Sequence, residues 1–127
     1  MHEMVLMKYA ALHVAGSDRL SIGERIQFVR EIAREYHATA KLWRAVFSSE
    51  VERKDGGRVL QEVFELWRKK DEVEATVAWG KWLLTNDRGK EAMGVMVRAR
   101  SSLKEADRRE LEQRWKVTLD ENVVNKE

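Results

Sequence analysis

The sequence predicts an all-α protein, a bundle of four or five helices. Three observations carry this prediction. None of the 127 residues is proline, the residue that most often interrupts a helix. Glu, Arg, Lys and Ala are frequent, and their intrinsic preference is for helix over strand. Apolar residues recur at intervals of three and four, the spacing of a helix that buries one face.

The length fits a single helical domain over residues 1–127, divided into an arm (1–18), a bundle (19–116) and a short tail (117–127). The arm is apolar on almost every side, and a helix of that kind is buried. In so small a chain, part of this burial is expected against another subunit. The arm residues predicted for such an interface are Val5, Tyr9 and Leu12.

Local signals place the remaining elements. The predicted helices span residues 3–14, 22–48, 58–70, 71–84, 88–100 and 103–116. Three of their starts have the spacing of a capping box: Ser21 with Glu24, Asp71 with Glu74, and Ser102 with Glu105. Asp87 is expected to cap the helix over 88–100. The tail alternates weakly and is expected to be a short strand or an arm.

Composition excludes several classes of protein. Hydrophobic residues make up 43% of the chain, too many for a disordered protein. The absence of cysteine excludes disulfides and Cys-ligated zinc. No apolar run approaches the roughly 18 residues of a membrane span, and the first residues lack the basic region of a signal peptide. The 24 basic residues are nearly balanced by 22 acidic ones, so the arrangement of charge matters more than its sum.

A basic stripe, defined by Arg30, Arg34, His37, Lys41 and Arg44, is the clearest indication of a partner. The spacings of 4, 3, 4 and 3 put these residues on one face of the predicted helix over 22–48. Repeated cations on one face are what contact with a phosphate backbone requires, without reading particular bases.

A solvated helix face is the alternative interpretation of the basic stripe, since Glu24, Glu31 and Glu35 lie close by. The acidic residues end at Glu35, however, whereas the basic ones continue to Arg44. We therefore expect the stripe to bind an anionic partner, with Arg30 as its weakest member because Glu31 is adjacent.

An apolar stripe runs beside the basic one and indicates a protein neighbour. Its members are Ile22, Ile26, Val29, Ala33, Tyr36, Ala40, Trp43 and Phe47. Within it, Val29, Tyr36 and Trp43 are expected to hold a subunit. Trp79 and Trp82 share a helix face and suit an interface anchor, since aromatic residues are enriched at interfaces.

A second basic set is interleaved with Glu105, Asp107 and Glu110, which favours a solvated helix laced with ion pairs. Its members are Arg98, Arg100, Lys104, Arg108 and Arg109. A third basic run, residues 68–70, precedes acidic residues and fits the dipoles of two successive helix ends.

Signals of catalysis are missing. The three histidines are far apart, and the motifs of zinc peptidases, phosphate-binding loops, dinucleotide-binding folds and serine hydrolases do not occur. The sequence thus predicts no enzyme, no cofactor, no metal and no small-molecule substrate.

Together these features resemble, in type, the small helical coat proteins of filamentous viruses of hyperthermophilic archaea. The similarity rests on length, the apolar arm MVLMKYAALHV, the basic segment RIQFVREIAREYHATAKLWR, the missing cysteine and Arg/Val/Trp-rich usage. It implies helices that wrap double-stranded DNA in an A-like form and related subunits that pair into a dimeric building block. It also implies location in a virion, with the host cytoplasm as the site of assembly.

Two other functions stay open. A small helical subunit of a ribonucleoprotein effector of the CRISPR type would use the same cations on RNA or a displaced single strand. A helical adaptor or inhibitor would bind protein without nucleic acid. The three functions differ in the nucleic acid they prefer: a coat protein prefers duplex DNA, an effector subunit prefers RNA or single strands, and an adaptor binds neither.

Overall fold

The computed structural model describes residues 21–35, 38–51 and 57–126 of the chain. Every regular element in these ranges is an α-helix, so the all-α prediction is confirmed, although six helices replace the expected four or five. They are α1 (Ile22–Glu35), α2 (Ala40–Val51), α3 (Gly57–Trp67), α4 (Glu72–Thr85), α5 (Gly89–Ser102) and α6 (Glu105–Lys126). The predicted arm, with Val5, Tyr9 and Leu12, lies outside the described residues.

Packing divides the chain into two compact units, with the boundary along the sequence between Lys70 and Asp71. In the first unit, α3 packs against both α1 and α2. In the second, α4 packs against both α5 and α6, and α5 also touches α6. The expectation of one domain over residues 1–127 stays a prediction.

The core of the first unit forms around α3, whose apolar positions recur at helical spacing. Its buried side chains are Val59, Leu60, Val63, Phe64 and Trp67. The ring centroids of Trp67 and Phe47 of α2 lie 5.4 Å apart with the planes tilted by 56°, a favoured aromatic geometry. Large side chains on α3 therefore give its neighbours one apolar surface to cover.

The predicted helix over 22–48 is wrong, because the chain leaves the helical conformation before Ala40. Helix α1 starts at the predicted capping box, where the Glu24 amide donates to Ser21 Oγ at 3.1 Å, and it ends at Glu35. Ala38 and Thr39 are not helical. Thr39 then caps α2, since its Oγ1 accepts from the Leu42 amide at 3.2 Å. Because Thr39 pairs with an amide that has no partner within the helix, it favours the start of a new helix at Ala40.

An ion pair between Arg25 of α1 and Glu50 of α2 is buried in the first unit. Arg25 Nε lies 3.4 Å from Glu50 Oε1, and the two side chains are 4% and 1% exposed. Arg25 shares its buried helix face with Val29 and Ile32. A buried charge is stable only beside an opposite one, so this pair ties α1 to α2.

The second unit depends on a close approach between α4 and α6. A Cβ atom on Gly80 would lie 2.6 Å and 2.8 Å from two ring carbons of Trp115, so the indole occupies the place where any other residue has a side chain. Trp115 is 5% exposed, and Leu111 is fully buried one turn before it. Glycine at position 80 thus lets the ring lie on the α4 backbone.

Two predicted helix starts are corrected in the second unit. Asp71 does cap α4, accepting from the Glu74 amide at 3.1 Å. Asp87, by contrast, has a positive φ of 59° and lies in the turn, so that Arg88 precedes α5. Ser102 ends α5 instead of opening the next helix, and its hydroxyl lies 3.0 Å from Glu72 Oε2.

The predicted tail is also corrected, because residues 117–126 continue α6. The weak alternation of this segment suggested a short strand or an arm. Thr118 is instead buried one turn beyond Trp115, and its hydroxyl donates to the Arg114 carbonyl at 3.0 Å. Glu121 lies 3.9 Å from Lys81 of α4, so the helix keeps contact with α4 past the point where the bundle was expected to end.

We predict that one substitution has opposite effects at two glycines. Gly80→Ala gains about 1 kcal/mol of helix propensity but forces a methyl group into Trp115, an overpacking that costs about 1–3 kcal/mol. We expect a net loss of up to about 2 kcal/mol in the free energy of unfolding. Gly94→Ala on α5 is the matched control, since a Cβ there meets nothing within 4 Å. It should stabilise by about 1 kcal/mol. Urea unfolding followed by circular dichroism measures both, and equal effects would contradict the assigned contact.

A second prediction concerns the buried ion pair. Glu50→Gln keeps the side-chain shape but removes the negative charge beside Arg25, which should lower the free energy of unfolding by about 3–5 kcal/mol. Replacing both charges, Arg25→Met with Glu50→Leu, should recover most of that loss, because no charge is then buried. The same urea titration measures both variants. If the double variant is as unstable as Glu50→Gln, the loss does not come from an unpaired buried charge, and the assigned role of the ion pair is contradicted.

Candidate nucleic-acid interface

The solvent face of α2 carries two of the predicted phosphate-binding cations. Lys41 and Arg44 are exposed, as is Ser48 one turn further on. The only carboxylate in α2 is Glu50, and its side chain is 1% exposed because it faces Arg25. Helix α2 therefore presents cations to solvent while its single negative charge is neutralised inside the unit.

Helix α1 carries Arg30 and Arg34, and their surroundings differ. Arg30 forms an ion pair with Glu62 of α3, and the hydrogen bond and charge of Glu62 raise the pKa of this guanidinium. Glu62 of α3, rather than the neighbouring Glu31, thus pairs with the residue expected to be weakest. Arg34 is exposed in the last turn of α1, where a cation also complements the helix dipole.

The basic stripe is not continuous as predicted. Arg30 and Arg34 belong to α1, whereas Lys41 and Arg44 belong to α2, and the non-helical Ala38 and Thr39 intervene. His37 lies outside the described residues. Helical spacing cannot align side chains across an interrupted helix, so the one-face arrangement is wrong. That these cations bind phosphate stays a prediction.

The tryptophans predicted as interface anchors lie largely inside their own units. Trp43 is 2% exposed and Trp79 is 4% exposed, which leaves them little surface for a neighbouring subunit. Val29 of the apolar stripe is completely buried, and Tyr36 lies outside the described residues. Trp82 is half-buried and keeps part of its ring at the surface.

Trp79 and Trp82 form a stacked pair covered by Arg88. Their ring centroids are 5.3 Å apart with planes 8° from parallel, and the Arg88 guanidinium lies 5.5 Å from the Trp82 ring centre. Arg88 also donates to Glu91 at 2.8 Å. This hydrogen bond raises the pKa of Arg88 and lowers the pKa of Glu91. The Arg88 guanidinium thus covers the Trp82 ring at the start of α5, and a covered ring is a poorer surface for stacking with a base.

Part of the second basic set is ion-paired as expected. Arg109 lies 2.6 Å from Glu105, one turn earlier on α6. Further along the same helix, Arg114 lies 2.7 Å from Glu110. Exposed pairs of this kind contribute little to stability, but they reduce the charge that α6 presents to an anionic partner.

The buried Arg25–Glu50 pair is the feature that sequence reasoning missed. One signal was available: Ile22, Arg25, Val29 and Ile32 share the spacing of one helix face, so an arginine lies on the side that packs. Nothing local identifies its partner, which is 25 positions away.

Among the described residues, no group of three or more His, Cys, Asp or Glu could hold a metal ion. No helix in the same ranges is long and apolar enough to cross a membrane.

Comparison with models of protein families, with curated proteins and with solved structures found no match to this chain. The resemblance to viral coat proteins therefore stays a prediction. Of the segments on which it rests, the basic one is two helices rather than one.

Proposed function

We propose that this chain is a structural nucleic-acid-binding protein that holds phosphates without reading sequence. Lys41 and Arg44 on α2 are the main contacts, and Arg34 at the end of α1 is the third. The observation that carries the proposal is the charge distribution of α2, which exposes both cations and buries its only carboxylate. Binding to a backbone requires this separation, because an exposed acid on the same face would repel the phosphates.

The role proposed for these contacts is assembly along nucleic acid, as in a coat or nucleocapsid subunit on double-stranded DNA. Self-association or pairing with a related subunit belongs to this role. It is supported by the exposed cations, by the mostly apolar segment 4–12 of the arm and by the absence of a recognisable catalytic motif from the sequence. The two alternative roles are a subunit of a ribonucleoprotein effector and a protein adaptor.

We predict that neutralising the two α2 cations weakens DNA binding and its dependence on salt. Each phosphate contact contributes a slope of about −0.9 to a plot of log affinity against log salt for B-DNA. Lys41→Gln with Arg44→Gln should therefore make that slope less negative by about 1.8. Fluorescence anisotropy of a labelled duplex, repeated at several salt concentrations, measures it.

Lys69→Gln with Lys70→Gln is the matched control, since it removes the same charge from exposed residues that follow α3. We expect this control to keep the slope of the natural chain. Equal losses in the two variants would mean that only net charge matters, and would contradict an interface on α2. Failure of the natural chain to bind any duplex at low salt would reject the proposal itself.

The form of the nucleic acid separates the coat role from the ribonucleoprotein role. Competition between duplex DNA, single-stranded DNA and RNA of equal length should favour the duplex, and electron microscopy of the saturated complex should show regular assemblies. Preference for RNA or single strands would favour the effector subunit. A third outcome would favour the adaptor: the chain is not retained on nucleic acid, and the triple change of Arg30, Arg34 and Arg44 to Glu leaves its binding to a protein partner unaffected.

A further inference from the structure

An open groove of about 390 Å³ lies on the second unit, lined by Val97, Arg100 and Ser101 of α5 and by Arg108 of α6. Among the described residues that line it, two carry a guanidinium group and none carries a carboxylate. We propose that this groove is a binding site for a phosphate group. It is separate from the interface proposed on α1 and α2, which belong to the first unit, and it does not depend on that function.

Arg100 provides the first argument. Its Nε is buried from solvent and, within the described part of the chain, has no hydrogen-bond partner. A buried donor that lacks both water and an acceptor is unfavourable, and most native structures avoid it. An anion in the groove supplies the acceptor when the Arg100 side chain turns its Nε toward it, and an arginine fork suits the oxygens of a phosphate.

Arg108 provides the second argument, because its guanidinium is held in place on the opposite side of the groove. One of its terminal nitrogens donates to the Leu103 carbonyl at 3.2 Å, a bond that leaves the positive charge uncompensated. The nearby Arg109 differs, since Glu105 neutralises it at 2.6 Å. Of these adjacent arginines, the one that lines the groove is bound to a neutral carbonyl.

The remaining lining suits a small polar ligand. Ser101 is uncharged, and its hydroxyl donates to the Val97 carbonyl at 3.0 Å, so the donors for a ligand come from the two arginines. Val97 is 56% exposed and forms the apolar part of the groove wall. Two arginines favour phosphate over a carboxylate, because phosphate offers enough oxygens to accept from both at once.

The test uses the natural chain and the NMR signal of the Arg100 Nε–H group. This signal is identified by its loss in Arg100→Lys, which keeps the charge but has no Nε donor. Inorganic phosphate is titrated against sodium chloride of equal ionic strength. We expect phosphate, but not chloride, to shift the Arg100 signal in a saturable manner. A signal that does not move, or moves equally with chloride, would overturn the site.

Two variants check the second arginine. Arg108→Gln should weaken phosphate binding by about tenfold, the value of one charge-assisted hydrogen bond. Arg109→Gln is the matched control, because it removes the same charge from the next residue and should leave the affinity unchanged. Equal weakening in both would show a general charge effect and reject the groove. Circular dichroism confirms that the variants fold.

A parallel titration with a short DNA duplex distinguishes the source of the phosphate. A shift with inorganic phosphate alone assigns the groove to a free phosphate or a monoester, whereas a shift with the duplex extends it to a nucleic-acid backbone. The phosphate shift should persist in Lys41→Gln with Arg44→Gln. The test of the groove is therefore independent of whether the interface on α2 binds nucleic acid.

Discussion

The buried ion pair between Arg25 and Glu50 is the constraint on which the first unit and its proposed interface depend. It links α1 to α2 in an interior where neither charge is tolerated alone. It also determines what α2 shows to solvent, because Glu50 is the only carboxylate of that helix. With Glu50 neutralised inside, Lys41 and Arg44 remain as the charges on the outside. One contact thus connects the packing of the unit to the sign of its surface.

The second unit follows a different constraint, the contact of the Trp115 ring with the backbone at Gly80. It brings α6 against α4, and the burial of Leu111 and Thr118 extends the contact along α6. Helix α5 covers another side of α4 and leaves its own C-terminal turns beside the start of α6. The groove between Arg100 and Arg108 is formed there. Each unit therefore has its own packing constraint and its own group of cations.

Local features of the fold could be predicted, and features that join distant residues could not. The all-α class, the capping box at Ser21 and the cap at Asp71 were found because helix signals act within one turn. The break before Thr39 was missed because apolar spacing continues across it and Leu42, not Glu, stands at the third helical position. Composition identified Lys41 and Arg44 as candidates. It could not show that Glu50 is buried, since that depends on Arg25 being brought to it by the fold.

The central claim is that the exposed cations of α2 touch phosphate, and a lysine footprint tests it most directly. The chain is treated briefly with an acetylating reagent, with and without duplex DNA at low salt, and each lysine is quantified by mass spectrometry. We predict that DNA protects Lys41, while Lys69 and Lys70 react equally in both samples. Equal acetylation of Lys41 with and without bound DNA would contradict it.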